Sequence, residues 1–258
     1  MNIFPSFTQQ GNSFMSYANF RASMHSLDYV DDIYVEIRNL GSGDVVVGFF
    51  DINDSAKTSA QIPQSRATAW PNSALRLGVM SQLASVHPAF LVFCDAGMKE
   101  FHLHPHPFSA TNYQCLNELA YINFLQGLNG AAMSNRQAQG PKYPASLPPY
   151  SVWHYKLDWA CKCRDIDYFE IRNGEIRAIL EITGKLQDES HLKNSLTQIF
   201  QRWSLHQSMF RSLTKAVGTP AFFVVHTTRL DVFYVFDINF SKVFSGDQAS
   251  YKAWLNQL

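Results

Sequence analysis

Two carboxylates and a lysine in the second half of the chain have the residue types and spacing for metal-dependent chemistry. Asp167 is followed by the otherwise apolar run Leu180-Glu181-Ile182-Thr183, and Lys185 comes shortly after it. Two carboxylates on adjacent strands can bind a hard divalent cation such as Mg²⁺ through oxygen. A metal held there can generate hydroxide from water and stabilise charge on a phosphate, and a nearby lysine can add positive charge or position the water.

A β-hairpin is predicted to bring these carboxylates together. Its turn is Asn173-Gly174, the pair typical of a type I′ turn, in which both central residues have positive φ. A strict two-residue loop places opposite charges across the two strands. The pairs are Arg172 with Glu175 and Glu170 with Arg177.

The register of that hairpin leaves two choices for the partner of Glu181. With a strict two-residue turn, Glu170 shares a face with Glu181, whereas Asp167 lies on the other face. Either a bulge near Asp167 returns it to the site, or Glu170 is the partner.

The same segment resembles the PD-(D/E)xK nuclease superfamily. The resemblance consists of Asp167, thirteen intervening residues and then Glu181-Ile182-Thr183, followed by a helical stretch and the strand-like run PAFFVV. It implies catalytic roles for Asp167, Glu181 and Lys185. It also implies a Mg²⁺ or Mn²⁺ ion bound by Asp167, Glu181 and the Ile182 carbonyl. Thr183 stands where the motif has lysine, and Lys185 would then supply the ammonium from a shifted position.

The chain repeats itself at a nearly constant offset. Four segments of the first half recur in the same order in the second, at offsets of 134, 132, 132 and 130 residues. Repetition of this kind indicates duplicated structural units. The matched segments are YVEIRN (34–39) with YFEIRN (168–173), PAFLVF (88–93) with PAFFVV (220–225), FHLHPHPFS (101–109) with FYVFDINFS (233–241), and YINFLQGL (121–128) with YKAWLNQL (251–258).

The repeat predicts two halves, residues 1–133 and 152–258, joined by the proline-rich segment 134–151. In the first half, the expected equivalents of the site residues are less complete. They are Asp31 or Asp32, then Asp51-Ile52-Asn53, with Lys57 downstream. We therefore expect this half to be degenerate and to serve structure, DNA contact or pseudo-dimer formation.

The second half shows the order of its elements most clearly. After the hairpin, apolar residues at helical spacing predict a helix over 190–218, which Gly218 and Pro220 end. A buried strand over 220–228 and a further strand over 231–239 follow. The predicted fold class is α/β, with two tandem restriction-endonuclease-like units, each a mixed sheet with flanking helices.

Composition sets limits without choosing a function. Lysine plus arginine and aspartate plus glutamate both number 21, so the formal net charge of zero does not favour nucleic-acid binding by the whole surface. No apolar run is long enough to span a bilayer, and the N-terminus lacks a signal-peptide pattern. The four cysteines, of which only Cys161 and Cys163 are close, predict free thiols in a reducing cytoplasm.

Three alternate histidines, His102, His104 and His106, would share a face on a strand and could bind zinc. Pro105 and Pro107 argue against a regular strand, so a loop or edge position is favoured. Basic residues on the 190–218 helix could contact phosphate, although a solvated helix face is the commoner meaning. These residues are Lys193, Arg202, Arg211 and Lys215.

The leading expectation is a divalent-metal-dependent DNA endonuclease acting on duplex DNA, as a homodimer or an internal pseudo-dimer and without a membrane partner. The alternative is a non-catalytic nuclease-fold protein that binds DNA or a protein partner, and Thr183 is the residue that favours it.

Overall fold

The computed structural model describes residues 17–24, 26–39, 43–69, 74–130, 148–154, 157, 162–184, 188–204 and 206–258. Its described parts make a mixed α/β protein. The strands are β1 (Asp28–Asn39), β2 (Asp44–Ala56), β3 (Ala89–Asp95), β4 (Glu100–Pro105), β5 (Gln114–Asn117), β6 (Lys162–Arg172), β7 (Glu175–Gly184), β8 (Ala221–His226), β9 (Phe233–Asp237) and β10 (Lys242–Gly246).

Helices lie between these strands and flank them. They are α1 (17–22), α2 (Ile62–Ala69), α3 (Ala74–Ala84), α4 (Glu118–Asn129), α5 (Pro149–His154), α6 (Glu189–Trp203), α7 (Gln207–Val217) and α8 (Gln248–Leu255). A 3-10 turn, Ser59–Gln61, leads into α2. Residues 134–147 of the predicted linker lie outside the described residues, and its last part belongs to α5.

The chain divides into two compact units by its internal contacts. The first unit combines Met1–Asp31 with Asp167–Leu258, and the second unit is Asp32–Ile166. The predicted halves were defined by similar segments along the sequence, whereas these units are defined by which residues pack together. Residues that precede β1 therefore pack with the C-terminal part of the chain.

Each unit pairs its strands in one and the same pattern. In the first unit the order is β6-β7-β8-β9-β10, and in the second it is β1-β2-β3-β4-β5. One pair in each unit is parallel, β7 with β8 and β2 with β3, and the neighbouring pairs are antiparallel. A parallel pair needs a crossover connection, which is helical in both units.

The crossover of the first unit differs from the single helix predicted over 190–218. The structure has two helices, α6 and α7, with an interruption after Trp203. The Ser204 hydroxyl donates to the Gln201 carbonyl, a local bond that competes with continued helix. Helix α7 ends as predicted at Gly218, which has φ +72° and donates its N–H to the Thr214 carbonyl.

The predicted hairpin turn is confirmed. Asn173 and Gly174 have φ values of 54° and 77°, as a type I′ turn requires, and Arg172 lies opposite Glu175.

Beyond that pair the strict register is wrong. A bulge between Glu170 and Ile171 shifts the pairing by one residue, so Glu170 lies opposite Ala178. Arg177 instead forms an exposed ion pair with Glu175 at 2.7 Å. Because the bulge adds one residue to one strand, every later side chain of that strand projects from the face opposite to the one that the strict register predicts.

Each unit has its own apolar core. In the first unit, side chains of α1 and α8 pack on one face of β6, β7, β8 and β9, with Tyr17, Leu180, Phe233 and Tyr251 at the centre. In the second unit, Phe50, Phe101, Tyr121 and Tyr150 occupy the corresponding core. The hydroxyl groups of Tyr17 and Tyr251 are 2.9 Å apart, and those of Tyr121 and Tyr150 are 3.1 Å apart.

The loop or edge position predicted for the histidine run is wrong for His102 and His104, whereas His106 follows the end of the strand. His102 and His104 are buried on β4, which is paired with β3 on one side and β5 on the other. The strand ends at Pro105, which satisfies the proline constraint.

Cys94, Cys115 and Cys163 are free thiols, as expected, and Cys161 lies outside the described residues.

Within the described residues, no helix combines the length and the apolar character needed to cross a membrane.

Candidate functional site

The bulge in the β6–β7 hairpin decides which carboxylate faces Glu181. On the far side of the bulge, Phe169 lies opposite Ile179 and Tyr168 lies opposite Leu180. The same register continued by one residue places Asp167 opposite Glu181, and directly opposite side chains project from the same face of an antiparallel pair. The sequence left open either a bulge that returns Asp167 to the face of Glu181 or Glu170 as the partner of Glu181. The structure has the bulge.

A hydrogen bond holds Asp167 beside the second strand. Oδ2 of Asp167 accepts the backbone N–H of Ile182 at 2.5 Å. Asp167 and Glu181 are both half-buried. Asp167 lies within β6, which begins at Lys162, and not at the start of the strand. The carboxylate of Asp167 is therefore anchored next to the peptide that follows Glu181, on the strand with which β6 pairs.

The alternative partner, Glu170, has a different place and role. It is fully buried and accepts two hydrogen bonds from Arg21 of α1, at 2.9 Å from Nε and 2.7 Å from Nη2. In the shifted register Glu170 projects from the face opposite to Glu181. Its carboxylate neutralises a buried guanidinium and fixes α1 on β6.

The structure describes only some of the residues predicted at or near the position of the motif lysine. Thr183 is half-buried near the end of β7, on the same side of the strand as Glu181 by alternation. Lys185 lies outside the described residues. Lys193, one of the basic residues of the following helix, is exposed and pairs with Glu189 at 2.9 Å. Arg211 donates to the Asn239 side chain.

The corresponding position in the second unit does not contain two carboxylates. Its hairpin carries a bulge at the matching glutamate, between Glu36 and Ile37, and beyond it Ile33 lies opposite Asp51. The buried Ile33, and neither Asp31 nor Asp32, therefore takes the place of Asp167. The carboxylate of Asp51 receives Nε of Arg76 at 2.9 and 3.0 Å. The arginine supplies the charge that balances this carboxylate.

Two groups of residues that could bind a metal ion were not predicted from the sequence. One is Glu36, His154 and Cys163, and the other is Glu100, His102 and Cys115; in each, one ligand atom per residue lies within 4.8 Å of the others. The first group draws on β1, α5 and β6, so no local spacing reveals it. In the second, strand pairing brings Cys115 opposite His102, whereas the sequence suggested only the alternate histidines.

Comparison with known proteins adds no relative. No protein-family model matches the chain, and no curated protein matches it. A crystal structure of the sex pheromone staph-cAM373 precursor aligns over 92% of this chain and 89% of its own, with 7% identity and a TM-score of 0.19. A TM-score this low does not indicate a common fold, and the likeness carries no argument about function.

Proposed function

We propose that this chain is a divalent-metal-dependent endonuclease that hydrolyses phosphodiester bonds of duplex DNA. The observation that carries the proposal is the bulge between Glu170 and Ile171, which returns Asp167 to the same face as Glu181. Asp167, Glu181 and the Ile182 carbonyl would bind Mg²⁺ or Mn²⁺, which oxygen ligands favour. The bound ion would activate water and stabilise charge on the phosphate.

The order of elements supports the same proposal. An antiparallel hairpin carries the two acids, a helical crossover follows, and the next strand is parallel to the second strand of the hairpin. This is the order that the resemblance to PD-(D/E)xK nucleases implies.

We also propose that the chain arose by duplication of such a unit. The support is the common strand order, the single parallel pair in each unit, and the bulge at Glu36 and at Glu170. The second unit would be the degenerate copy, because Ile33 replaces one acid and Arg76 neutralises the other. An internal pseudo-dimer of this kind would present two units to duplex DNA, and a homodimer would present two copies of the Asp167–Glu181 site.

The proposed function is tested by comparing the parent and Glu181→Gln in cleavage of supercoiled and linear duplex DNA. A carboxamide keeps the shape of the side chain but loses the charge that holds the cation, so cleavage with Mg²⁺ or Mn²⁺ should fall by roughly 100-fold or more. The matched control is Glu175→Gln, an exposed glutamate of the same strand, which should cleave like the parent. Unchanged cleavage by Glu181→Gln, or cleavage in excess chelator, would remove the assignment.

Thr183 supports a second candidate, a non-catalytic nuclease-fold protein that binds DNA or a protein partner. A hydroxyl cannot stabilise the negative charge developing on phosphate as an ammonium can. If the chain is an enzyme, Lys185→Ala should lose most cleavage and keep DNA binding, and adding Thr183→Lys should restore part of it. The second candidate would be established if the parent bound DNA without cleaving it and Thr183→Lys gained cleavage.

A further inference from the structure

A second place in the molecule holds metal-ligating side chains of a different chemical kind. In the second unit, the buried carboxylate of Glu36 lies beside His154 and Cys163, with Glu36 Oε1 2.5 Å from Nε2 of His154. The second oxygen, Oε2 of Glu36, is buried and accepts no well-formed hydrogen bond from the described residues, and the Cys163 thiol is the other polar side chain beside this carboxylate. A buried carboxylate oxygen left in this state is costly unless something unseen binds it.

The first unit has an equivalent group of three residues whose role is structural. By the aligned segments YVEIRN and YFEIRN, Glu36 corresponds to Glu170, and Cys163 corresponds to Tyr29, each five residues before the aligned tyrosine. His154 and Arg21 correspond too, since each comes four residues after a tyrosine. The hydroxyl of that tyrosine bonds a tyrosine of the helix that follows the last strand of the β1–β5 or β6–β10 set, Tyr121 of α4 for Tyr150 and Tyr251 of α8 for Tyr17.

The two trios differ in chemistry at two of three positions. In the first unit, Arg21 makes a two-point ion pair with Glu170 and stacks on the Tyr29 ring at 4.6 Å, so both carboxylate oxygens are bonded. In the second unit, imidazole replaces guanidinium and a thiol replaces the phenol ring. Both replacements are zinc ligands, and the pair that results leaves one carboxylate oxygen without a well-formed hydrogen bond.

We propose that Glu36, His154 and Cys163 form a zinc site. Thiolate, imidazole and carboxylate together suit Zn²⁺ and not the hard cations expected at Asp167 and Glu181. With Cys163 and Glu36 ionised and His154 neutral, the bound ion gives a site of zero net charge, like the Arg21–Glu170 pair. Binding replaces the S–H bond of Cys163 with a sulfur–zinc bond, and the thiol proton goes to solvent.

The surroundings provide a fourth position. A cavity of about 10 Å³ adjoins the group and is lined by Tyr34, Ser151, His154, Cys163 and Asp165. That space is about the size of one water molecule. Asp165, one of the lining residues, is exposed to solvent. A water or the Asp165 carboxylate would complete a tetrahedron, with His154 Nε2 and Glu36 Oε1 separating to roughly 3.3 Å.

The other group of three is a weaker candidate. His102 Nε2 already bonds Glu100 at 2.8 Å, and the Arg66 guanidinium lies 3.4 Å from its other ring nitrogen. A fixed positive charge at that distance opposes binding of a cation. Its exposed Cys115 is therefore a useful control.

The test is Co²⁺ and Zn²⁺ binding by the full chain, stripped of metal and kept reduced. The parent should develop a thiolate-to-cobalt charge-transfer band that saturates at one Co²⁺ per chain, and one equivalent of Zn²⁺ should abolish it, whether or not further Co²⁺ binds at Asp167 and Glu181. Cys163→Ser should lose the band and bind Zn²⁺ roughly 100-fold or more weakly, while Cys115→Ser and Cys161→Ser keep both.

A second variant separates loss of metal from loss of fold. His154→Arg recreates the arginine–glutamate pair of the first unit, so it should remain folded by circular dichroism yet lose the cobalt band. Absence of stoichiometric binding by the parent would overturn the proposal. So would a band that survives Cys163→Ser or that disappears in Cys115→Ser.

Discussion

At the scale of single residues, the buried histidine His226 gives the chain a defined pH dependence. Its Nδ1–H donates to the Thr227 carbonyl at 2.8 Å, while Nε2 is buried without a hydrogen-bond partner among the described residues. Tyr17 stacks on the ring. Burial lowers the pKa of His226 from 6.5 to about 4, because the charged imidazolium would lose its hydration.

We therefore expect His226 to destabilise the fold as pH falls from about 6.5 to about 4. In that window the unfolded chain binds a proton that the folded chain does not, and the free energy of unfolding decreases by about 3 kcal/mol in total. Above pH 6.5 both states are neutral and the effect vanishes. Urea unfolding of the parent and of His226→Phe at pH 7 and pH 4 measures it. The parent should lose about 3 kcal/mol more than the variant, and equal losses would contradict this account.

The residues of the proposed nuclease site could be found from the sequence, but the strand register that brings them to one face could not be fixed from it. Asp167 and Glu181 stand out because carboxylates are rare in such apolar surroundings. The strict hairpin register nevertheless put Asp167 on the wrong face, because one extra residue reverses every later side chain. Glu36, His154 and Cys163 were missed because strand and helix packing, not spacing along the chain, brings them together.

At the scale of elements, one buried ion pair fixes α1 on β6. Arg21 and Glu170 are both fully buried, and Arg21 also donates to the Leu27 carbonyl at 2.9 Å. Arg21→Met leaves a buried carboxylate without its cation and should lower the free energy of unfolding by about 3–5 kcal/mol. Urea unfolding measures the loss.

Arg177→Met is the matched control for that variant. It removes an arginine from an exposed ion pair of the same hairpin and should change stability by less than about 0.5 kcal/mol. The double variant Arg21→Met/Glu170→Leu should recover much of the loss, because no unpaired charge stays buried. Equal effects of Arg21→Met and Arg177→Met would show that the buried pair does not hold the helix.

The elements themselves were largely predictable because their signals are local. The Asn173-Gly174 turn, the end of α7 at Gly218 and the apolar strand β8 follow from backbone preference and apolar runs. The break between α6 and α7 was not predicted, because helical spacing of apolar residues continues across it. The local bond of Ser204 that interrupts the helix leaves that spacing intact.

At the scale of the whole molecule, the sequence repeat predicted that similar elements recur in the same order along the chain, but not the membership of the compact units. Residues up to Asp31 pack with Asp167–Leu258. Two units with the same strand pattern offer similar apolar faces, and amphipathic patterns do not say which face a helix covers. The choice depends on particular contacts, such as Arg21 with Glu170 in the first unit and His154 with Glu36 in the second.

The central claim is that the first unit binds a hard divalent cation between Asp167 and Glu181. Anomalous difference density from crystals soaked in Mn²⁺ tests it most directly, since the ion is located without any assumption about substrate. We expect a peak within about 2.0–2.6 Å of oxygens of Asp167 and Glu181, the range of hard-cation ligands, and its loss in Asp167→Asn crystals. Fully occupied Mn²⁺ elsewhere with none between these carboxylates, or a peak that persists in Asp167→Asn, would contradict the account.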